Sequence, residues 1–221
     1  MSTVLRSSSL TDTLAESLRR DIISGAIPSG MRLTEAWVAT RFDVARPTAK
    51  GGFDRLTNEG LLRRGPHKSA NVPLLEAADV RDIYFSREPI ESRALQTLTE
   101  QGFVPPEAER ALIMMTIAAE NQHHVDHTAA DVAFHRALVS AVGSERTRRM
   151  HDMVMGEAEL CIAQVRRTSG VDLFVLTAEH VAILNGIRSG DPALAIDALR
   201  TDLFTCRDAL LADLESRRIQ A

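Results

Sequence analysis

Asp131 and His135 place a carboxylate and an imidazole four residues apart in a segment with helical periodicity. Because residues i and i+4 of a helix leave the same face, both groups can reach one point. This arrangement is typical of half of a divalent metal site. His180, preceded by Glu179, lies one helix pair further along the chain and is a candidate third ligand. In the structural alternative, Asp131 only caps or decorates its helix and His135 is a hydrogen-bonded core histidine.

These candidate ligands lie in a region in which every long segment has helical periodicity and, after Val72, no segment has the alternation of a strand. Asp191 and Pro192 provide an N-cap and a first-turn proline for the last helix. The stretch His123–His127 is predicted to be a solvated polar connection. The pattern therefore predicts six or seven antiparallel helices in a bundle. The predicted helices span residues 80–100, 107–121, 128–142, 145–168, 173–189 and 193–217.

A second chemical pattern lies between Val38 and Leu62. A short helix ends near Phe42, a tight turn follows, and a second helix begins with Pro47 in its first turn. Basic and hydroxyl side chains at the start of this second helix suit insertion into a DNA major groove. An ordinary helical hairpin with a solvated basic face is the alternative. Gly51-Gly52, in the same helix, predicts either a close approach to DNA or close packing on a preceding helix.

A basic hairpin is predicted directly after this helix. Leu61–Arg64 is a short apolar and then basic run, Gly65-Pro66 is turn chemistry, and His67–Val72 can return as a second strand. A two-stranded basic ribbon beside a recognition helix is a wing, which reaches phosphates or the minor groove. The predicted DNA contacts are Arg46, Thr48, Lys50, Arg63, Arg64, His67 and Lys68.

Charge is distributed unevenly along the chain. Residues 1–72 contain 11 basic and 7 acidic side chains, a net charge of +4, whereas the rest carries −8 and the whole chain −4. Both lysines, Lys50 and Lys68, fall in the basic part. A basic module joined to an acidic one indicates a polyanionic partner at one end only.

Composition excludes several other classes of protein. The low aromatic content of 4% favours aliphatic helix packing over a β-sandwich. No apolar run approaches the roughly 18 residues of a membrane span, and the first ten residues lack the apolar core of a signal peptide. Cys161 and Cys206 do not form a metal-binding motif and suit small buried residues in a reducing cytosol. A cytoplasmic location without membrane contact is therefore expected.

The N-terminal third resembles the winged helix-turn-helix of GntR-family transcription regulators, and the remainder resembles the all-helical FCD effector domain of the FadR-like branch. The resemblance implies a mainly α fold with a DNA-binding domain at 1–72, a linker at 73–78 and a helical effector-binding and dimerisation domain at 79–221. The residues that carry it include Leu14, Leu18, Ile22, Gly25, Ile27-Pro28-Ser29-Gly30, Leu33-Thr34-Glu35, Val38-Ala39, Phe42-Asp43-Val44, Arg46–Lys50, Leu56 and Glu59-Gly60-Leu61.

The resemblance also implies ligands for the second domain. FCD domains have Asp-x-x-x-His on one helix, a His after a Glu on another and a final His, and Asp131, His135 and His180 match the first three. Asp202 stands where relatives have the final His, which favours a harder ion such as Mn²⁺ over Zn²⁺ or Ni²⁺. Arg87 matches an arginine that faces the effector cavity and can hold a carboxylate, or it can pair with Glu91 on its own helix. Both can hold together, with Glu91 orienting Arg87.

These observations predict a homodimeric transcription regulator that binds double-stranded operator DNA and is not an enzyme. A small carboxylate metabolite is the expected effector, and repression relieved by that ligand is the expected logic. The alternative is a metal-dependent enzyme that uses Asp131, His135 and His180. A gel shift with the DNA upstream of the protein's own gene distinguishes these two functions.

Overall fold

The computed structural model describes residues 10–67, 69–166 and 172–220. The chain divides between Leu74 and Leu75 into two compact units. Lys68, one of the predicted DNA contacts, lies outside the described residues. Among the residues that are described, no helix combines the length and the apolar character needed to cross a membrane.

The first unit is a helical core with a small antiparallel sheet. The three strands are hydrogen-bonded in the order β1-β3-β2, with Arg64 opposite Ala70 in the wing and Leu33 opposite the same residue on the other side. The two strands of the wing were predicted from the sequence, whereas β1 was not. The elements are α1 (Leu10–Ile23), β1 (Arg32–Thr34), α2 (Glu35–Arg41), α3 (Arg46–Asn58), β2 (Arg63–Gly65) and β3 (Ser69–Asn71).

The apolar face of α3 fixes this helix in the unit, because Ala49, Phe53 and Leu56 are completely buried. Gly51 and Gly52 face α1. A Cβ atom on Gly51 would lie 2.8 Å from Cγ2 of Thr11, and one on Gly52 would lie 3.2 Å from Cδ2 of Leu14. The two glycines therefore permit close packing of α3 on α1, which decides between the two explanations that the sequence left open. Gly60 follows the helix in the left-handed conformation, with φ of 80°, as is usual for a glycine that ends a helix.

The second unit consists of helices throughout its described residues, in agreement with the predicted bundle. Several bounds differ from the sequence prediction by one to three residues. One difference is larger, because α6 begins at His124 rather than Thr128. The helices are α4 (Ala77–Glu100), α5 (Pro106–Glu120), α6 (His124–Ala141), α7 (Glu145–Arg166), α8 (Leu173–Ser189) and α9 (Pro192–Gln220).

The earlier start of α6 corrects the prediction of a solvated loop around the histidines at its beginning. His123 is the N-cap residue, and its Nδ1 accepts a hydrogen bond from the backbone N–H of Asp126 at 3.3 Å. His127 is fully buried, and its Nε2 lies 3.1 Å from the hydroxyl of Thr177. The side chains that looked like loop residues therefore cap the helix and pack its first turn.

Candidate DNA interface and candidate metal centre

A depression of about 400 Å³ in the first unit brings the start of α3, the start of α2 and the tip of the wing together. Three of the predicted DNA contacts, Arg46, Lys50 and His67, line it with exposed side chains. Sequence reasoning missed the opposite wall. That wall is formed by Thr34, Glu35 and Ala36.

The other predicted DNA contacts lie outside this depression. Thr48 is half-buried, and Arg63 is exposed on β2. Arg64 is also exposed, but its guanidinium forms an ion pair with Asp54 and lies 3.6 Å from Oε1 of Glu35. Arg46, Lys50 and His67 therefore line the depression, and Arg64 is held by carboxylates of its own domain. Thr48 and Arg63 do not line the depression.

In the second unit, three helices bring the four predicted metal ligands together. Asp131 and His135 come from α6, His180 from α8 and Asp202 from α9, and all four are at least 96% buried. Ligand atoms of the first three lie within 4.8 Å of one another. Nε2 of His135 lies 3.6 Å from Oδ1 of Asp131 and 3.3 Å from Oδ2 of Asp202.

These separations are compatible with one metal ion that all of these ligand atoms share. Two ligand atoms that are each about 2.1 Å from a tetrahedral ion lie about 3.4 Å apart. The distance from Nε2 of His180 to Oδ1 of Asp131 is somewhat longer, at 3.9 Å. Asp202 lies at the edge of the group, because its second oxygen faces Nδ1 of His180, at 3.5 Å, and not Nε2.

Hydrogen bonds on the far sides of both imidazoles leave the Nε2 atoms directed into this group. Nδ1 of His180 donates to the carbonyl oxygen of Leu176 at 2.8 Å. Its Nε2 is buried and has no hydrogen-bond partner within the described chain. Nδ1 of His135 donates to Oε2 of Glu91 at 2.7 Å. A ring N–H held by a carboxylate or a backbone carbonyl is the usual support of a metal-bound imidazole.

Glu91 is the centre of a buried polar cluster next to the four ligands. Its Oε1 accepts hydrogen bonds from Nε of Arg87 at 2.8 Å and from Nε2 of His151 at 3.1 Å. Both partners are 1% exposed, as is Glu91. The pairing of Arg87 with Glu91, one of the two alternatives from the sequence, is therefore present. It leaves the buried Nη2 of Arg87 without a hydrogen-bond partner among the described residues.

Sequence reasoning missed His151. Its signal was a place on the apolar stripe of a helix, since Met155, Ala158 and Ile162 follow it at helical spacing and are all buried. A histidine in such a stripe requires a buried partner. The partner, Glu91, lies 60 residues earlier in the chain and cannot be deduced from spacing.

The charges in this cluster shift the pKa values of its members. Burial raises the pKa of Glu91, but the charges of Arg87 and His135 oppose this effect and hold the pKa well below its usual range. Burial lowers the pKa of His135, but the charge of Glu91 and hydrogen bonds that the imidazole donates to Asp202 and Glu91 raise it to about 10. The cluster thus holds an ionised carboxylate against cationic neighbours in a region shielded from water.

Family models match both units. A model described as bacterial regulatory proteins of the gntR family matches residues 10–72, and the FCD domain model matches residues 82–204, which is more than half of the chain. The chain belongs to the GntR family. This assignment confirms the resemblance, the mainly helical fold and the order of the two domain types in this GntR-family protein.

Named relatives of this GntR-family protein are transcription regulators. The transcriptional repressor RspR of Escherichia coli is 33% identical over 125 residues, which are 55% of the chain and 54% of that relative. The match thus spans about half the length of this curated relative. The gluconate operon repressor of Bacillus subtilis is 24% identical over 88% of the chain and 82% of its own length. The structure of Escherichia coli McbR/YncC has the same fold, with a TM-score of 0.78, 16% identity and coverage of 92% of this chain and 98% of that one.

Proposed function

We propose that this chain is a ligand-responsive transcriptional repressor that binds double-stranded operator DNA as a homodimer. The observation that carries the DNA-binding proposal is the convergence of Arg46, Lys50 and His67 on one depression. The first two side chains stand in the first and second turns of α3, where the amide groups add positive potential. Two-fold symmetric binding would let two such helices read half-sites about one helical turn apart.

The contacts proposed with DNA have different roles. Arg46 has the bidentate geometry needed to read a guanine edge in the major groove, whereas Lys50 acts as a point charge on phosphate. His67, at the wing tip, is proposed to reach the backbone beside the helix, with Thr48 and Arg63 as further contacts. Phosphate contacts place the protein on the duplex, and base contacts select the sequence.

Replacing Lys50 by alanine is expected to weaken operator binding and to reduce the slope of log K against log salt concentration by about 0.9, because one phosphate contact is lost. Arg46→Ala should also change the preferred base at one position of each half-site. Fluorescence anisotropy at several salt concentrations, with a duplex selected by the protein from a random pool, measures both effects. Arg20→Ala is the matched control, since this exposed cation of α1 does not line the depression. Equal slopes for all variants would contradict the proposed DNA surface.

We propose that Asp131, His135, His180 and Asp202 hold a divalent cation in the second domain. Two imidazoles and two carboxylates suit Mn²⁺, Zn²⁺ or Ni²⁺. The buried Nε2 of His180, which has no described hydrogen-bond partner, supports this proposal because a lone pair in such a place requires a cation or a donor. The ion would offer positive charge and open coordination positions to an anionic ligand.

Arg87 is proposed to bind the carboxylate of a small effector. Its Nη2 is buried and has no hydrogen-bond partner among the described residues, and its Nε donates to Glu91, which orients the guanidinium. A guanidinium fixed in this way is preorganised for a carboxylate. An effector changes DNA affinity only if it binds one conformation of the protein more tightly than another.

Adding Mn²⁺, Zn²⁺ or Ni²⁺ to untagged, chelator-treated protein is expected to raise the melting temperature. At a metal concentration 100 times the dissociation constant, the shift is about 5–10 °C. His180→Ala should abolish the shift, measured against that variant's own metal-free melting temperature. His123→Ala is the matched control, since this exposed N-cap residue of α6 lies outside the ligand group. A wild-type protein whose melting temperature none of the three ions raises would contradict the metal proposal.

A further inference from the structure

Arg64 is bound by two helices of its own domain. One guanidinium nitrogen pairs with Asp54 of α3, and another lies 3.6 Å from Glu35 of α2. The same guanidinium lies over the ring of Phe53, 5.5 Å from its centroid. Phe53 is completely buried, so the stacked face of Arg64 rests on the core of the domain.

This arrangement joins three elements of the candidate DNA interface. Arg64 belongs to β2 of the wing, its first partner to the recognition helix, and Glu35 to the wall of the depression that Lys50 and His67 also line. The wing is short, since β2 and β3 have three residues each. Backbone pairing fixes these strands to each other and to β1, but it does not fix them to α3.

We propose that Arg64 is a positioning residue of DNA binding, which holds the wing against the recognition helix instead of contacting phosphate. It also offsets the negative charge of Glu35, which faces the same depression as the DNA-contacting cations. The inference rests on the proposed DNA binding. A planar fork that reaches two carboxylates while one face stacks on an aromatic ring is a property of arginine that lysine does not share.

The side chains of Arg46 and Lys50 are in a different situation. Both are exposed, and neither forms an ion pair with another described residue, so each is available to phosphate. A phosphate would compete with Asp54 and Glu35 for the guanidinium of Arg64. The ion pairs of Arg64 therefore favour a role within the protein.

The test measures binding of the full-length chain to a labelled duplex that it has selected from a random pool, at several salt concentrations. Arg64→Ala and Arg64→Lys are both expected to weaken binding by about five-fold, because a mobile wing loses preorganisation. The salt slope of both variants should equal that of the wild type. Lys50→Ala serves as the comparison in which the slope falls by about 0.9.

A double-mutant cycle with Asp54→Asn supplies a second measurement. If Arg64 acts through Asp54, the double variant should bind about as tightly as Arg64→Ala alone, whereas independent roles would give multiplied losses. Circular dichroism at the assay temperature shows whether each variant is folded, and Arg64→Lys keeps the charge if Arg64→Ala does not fold.

Two results would overturn the inference. One is that Arg64→Lys binds with wild-type affinity while Arg64→Ala has a shallower salt slope. This pattern would indicate a phosphate contact, because such a contact requires only the charge, which lysine keeps. The other is a cycle in which the two single losses multiply. Failure of the proposed DNA binding looks different, because the wild-type chain itself would then select no duplex.

Discussion

Replacing Glu91 with leucine is expected to lower the free energy of unfolding by about 3–5 kcal/mol, the usual effect of removing one partner from a buried ion pair. The variant leaves Nε of Arg87, Nδ1 of His135 and Nε2 of His151 without their shared acceptor. All of these side chains are 1% exposed, so water cannot replace the lost carboxylate without opening the bundle.

Glu88→Gln is the matched control for this prediction. Glu88 is on the same helix as Glu91, but it pairs with Arg200 at a surface where the two side chains are 24% and 49% exposed. A surface pair of this kind contributes about 0–1 kcal/mol. Urea unfolding of the two variants and the wild type, followed by circular dichroism, measures the difference. A loss below 1 kcal/mol for Glu91→Leu would show that the buried cluster is not needed for the fold.

Glu91→Gln separates stability from metal binding. Glutamine can accept the hydrogen bond from His135 with one end, but it then presents an amide N–H₂ to the donors Arg87 and His151. In the opposite orientation the amide N–H₂ faces Nδ1 of His135, which then loses its acceptor. Loss of such an outer hydrogen bond to a metal-bound imidazole weakens metal binding by about 10–100-fold. Because leucine cannot accept this hydrogen bond, a folded Glu91→Leu variant with wild-type affinity for Mn²⁺ would show that Glu91 does not orient His135.

The elements of the fold were predictable because their signals are local. Pro47 and Gly60 mark the ends of α3, Asp191 and Pro192 mark the start of α9, and the apolar spacing gives the buried faces. The start of α6 was missed because histidines are not typical first-turn residues, and the sequence does not show the contact of His127 with Thr177 of α8. That contact joins residues 50 positions apart.

The candidate sites could be predicted only in part, because ligands on one helix follow from spacing and contacts between distant helices do not. Asp131 and His135 share a helical face, so their convergence follows from spacing alone. The hydrogen bonds of Glu91 to His135 and His151 link positions 44 and 60 residues apart, and no local pattern specifies them. Arg64 was predicted as a DNA contact because basic residues in a wing usually reach phosphate. Its ion pairs with Asp54 and Glu35 depend on the packing of three elements, which the sequence order does not reveal.

Replacing Asp202 with histidine is expected to change the metal preference of the second domain. The resemblance to FCD domains implies a histidine at the position of Asp202, whose Oδ2 lies 3.3 Å from Nε2 of His135. An imidazole in its place removes one negative charge and offers a softer donor. The affinity for Zn²⁺ and Ni²⁺ relative to that for Mn²⁺ should therefore rise by on the order of 100-fold. Competition titrations of untagged, chelator-treated protein with these three ions measure the ratio.

Asp202→Asn is the control that isolates ligand chemistry from charge. It keeps the size of the side chain and removes the charge, so it should weaken binding of all three ions with little change in their order. The position of Asp202 at the edge of the ligand group, with its second oxygen toward Nδ1 of His180, makes this comparison decisive. If Asp202 only holds the ring of His180, the histidine and asparagine variants should weaken all ions alike, because three ligands from α6 and α8 would still set the preference. If no form of the protein retains metal after reconstitution, the metal proposal fails, whereas DNA binding rests separately on the Lys50 result.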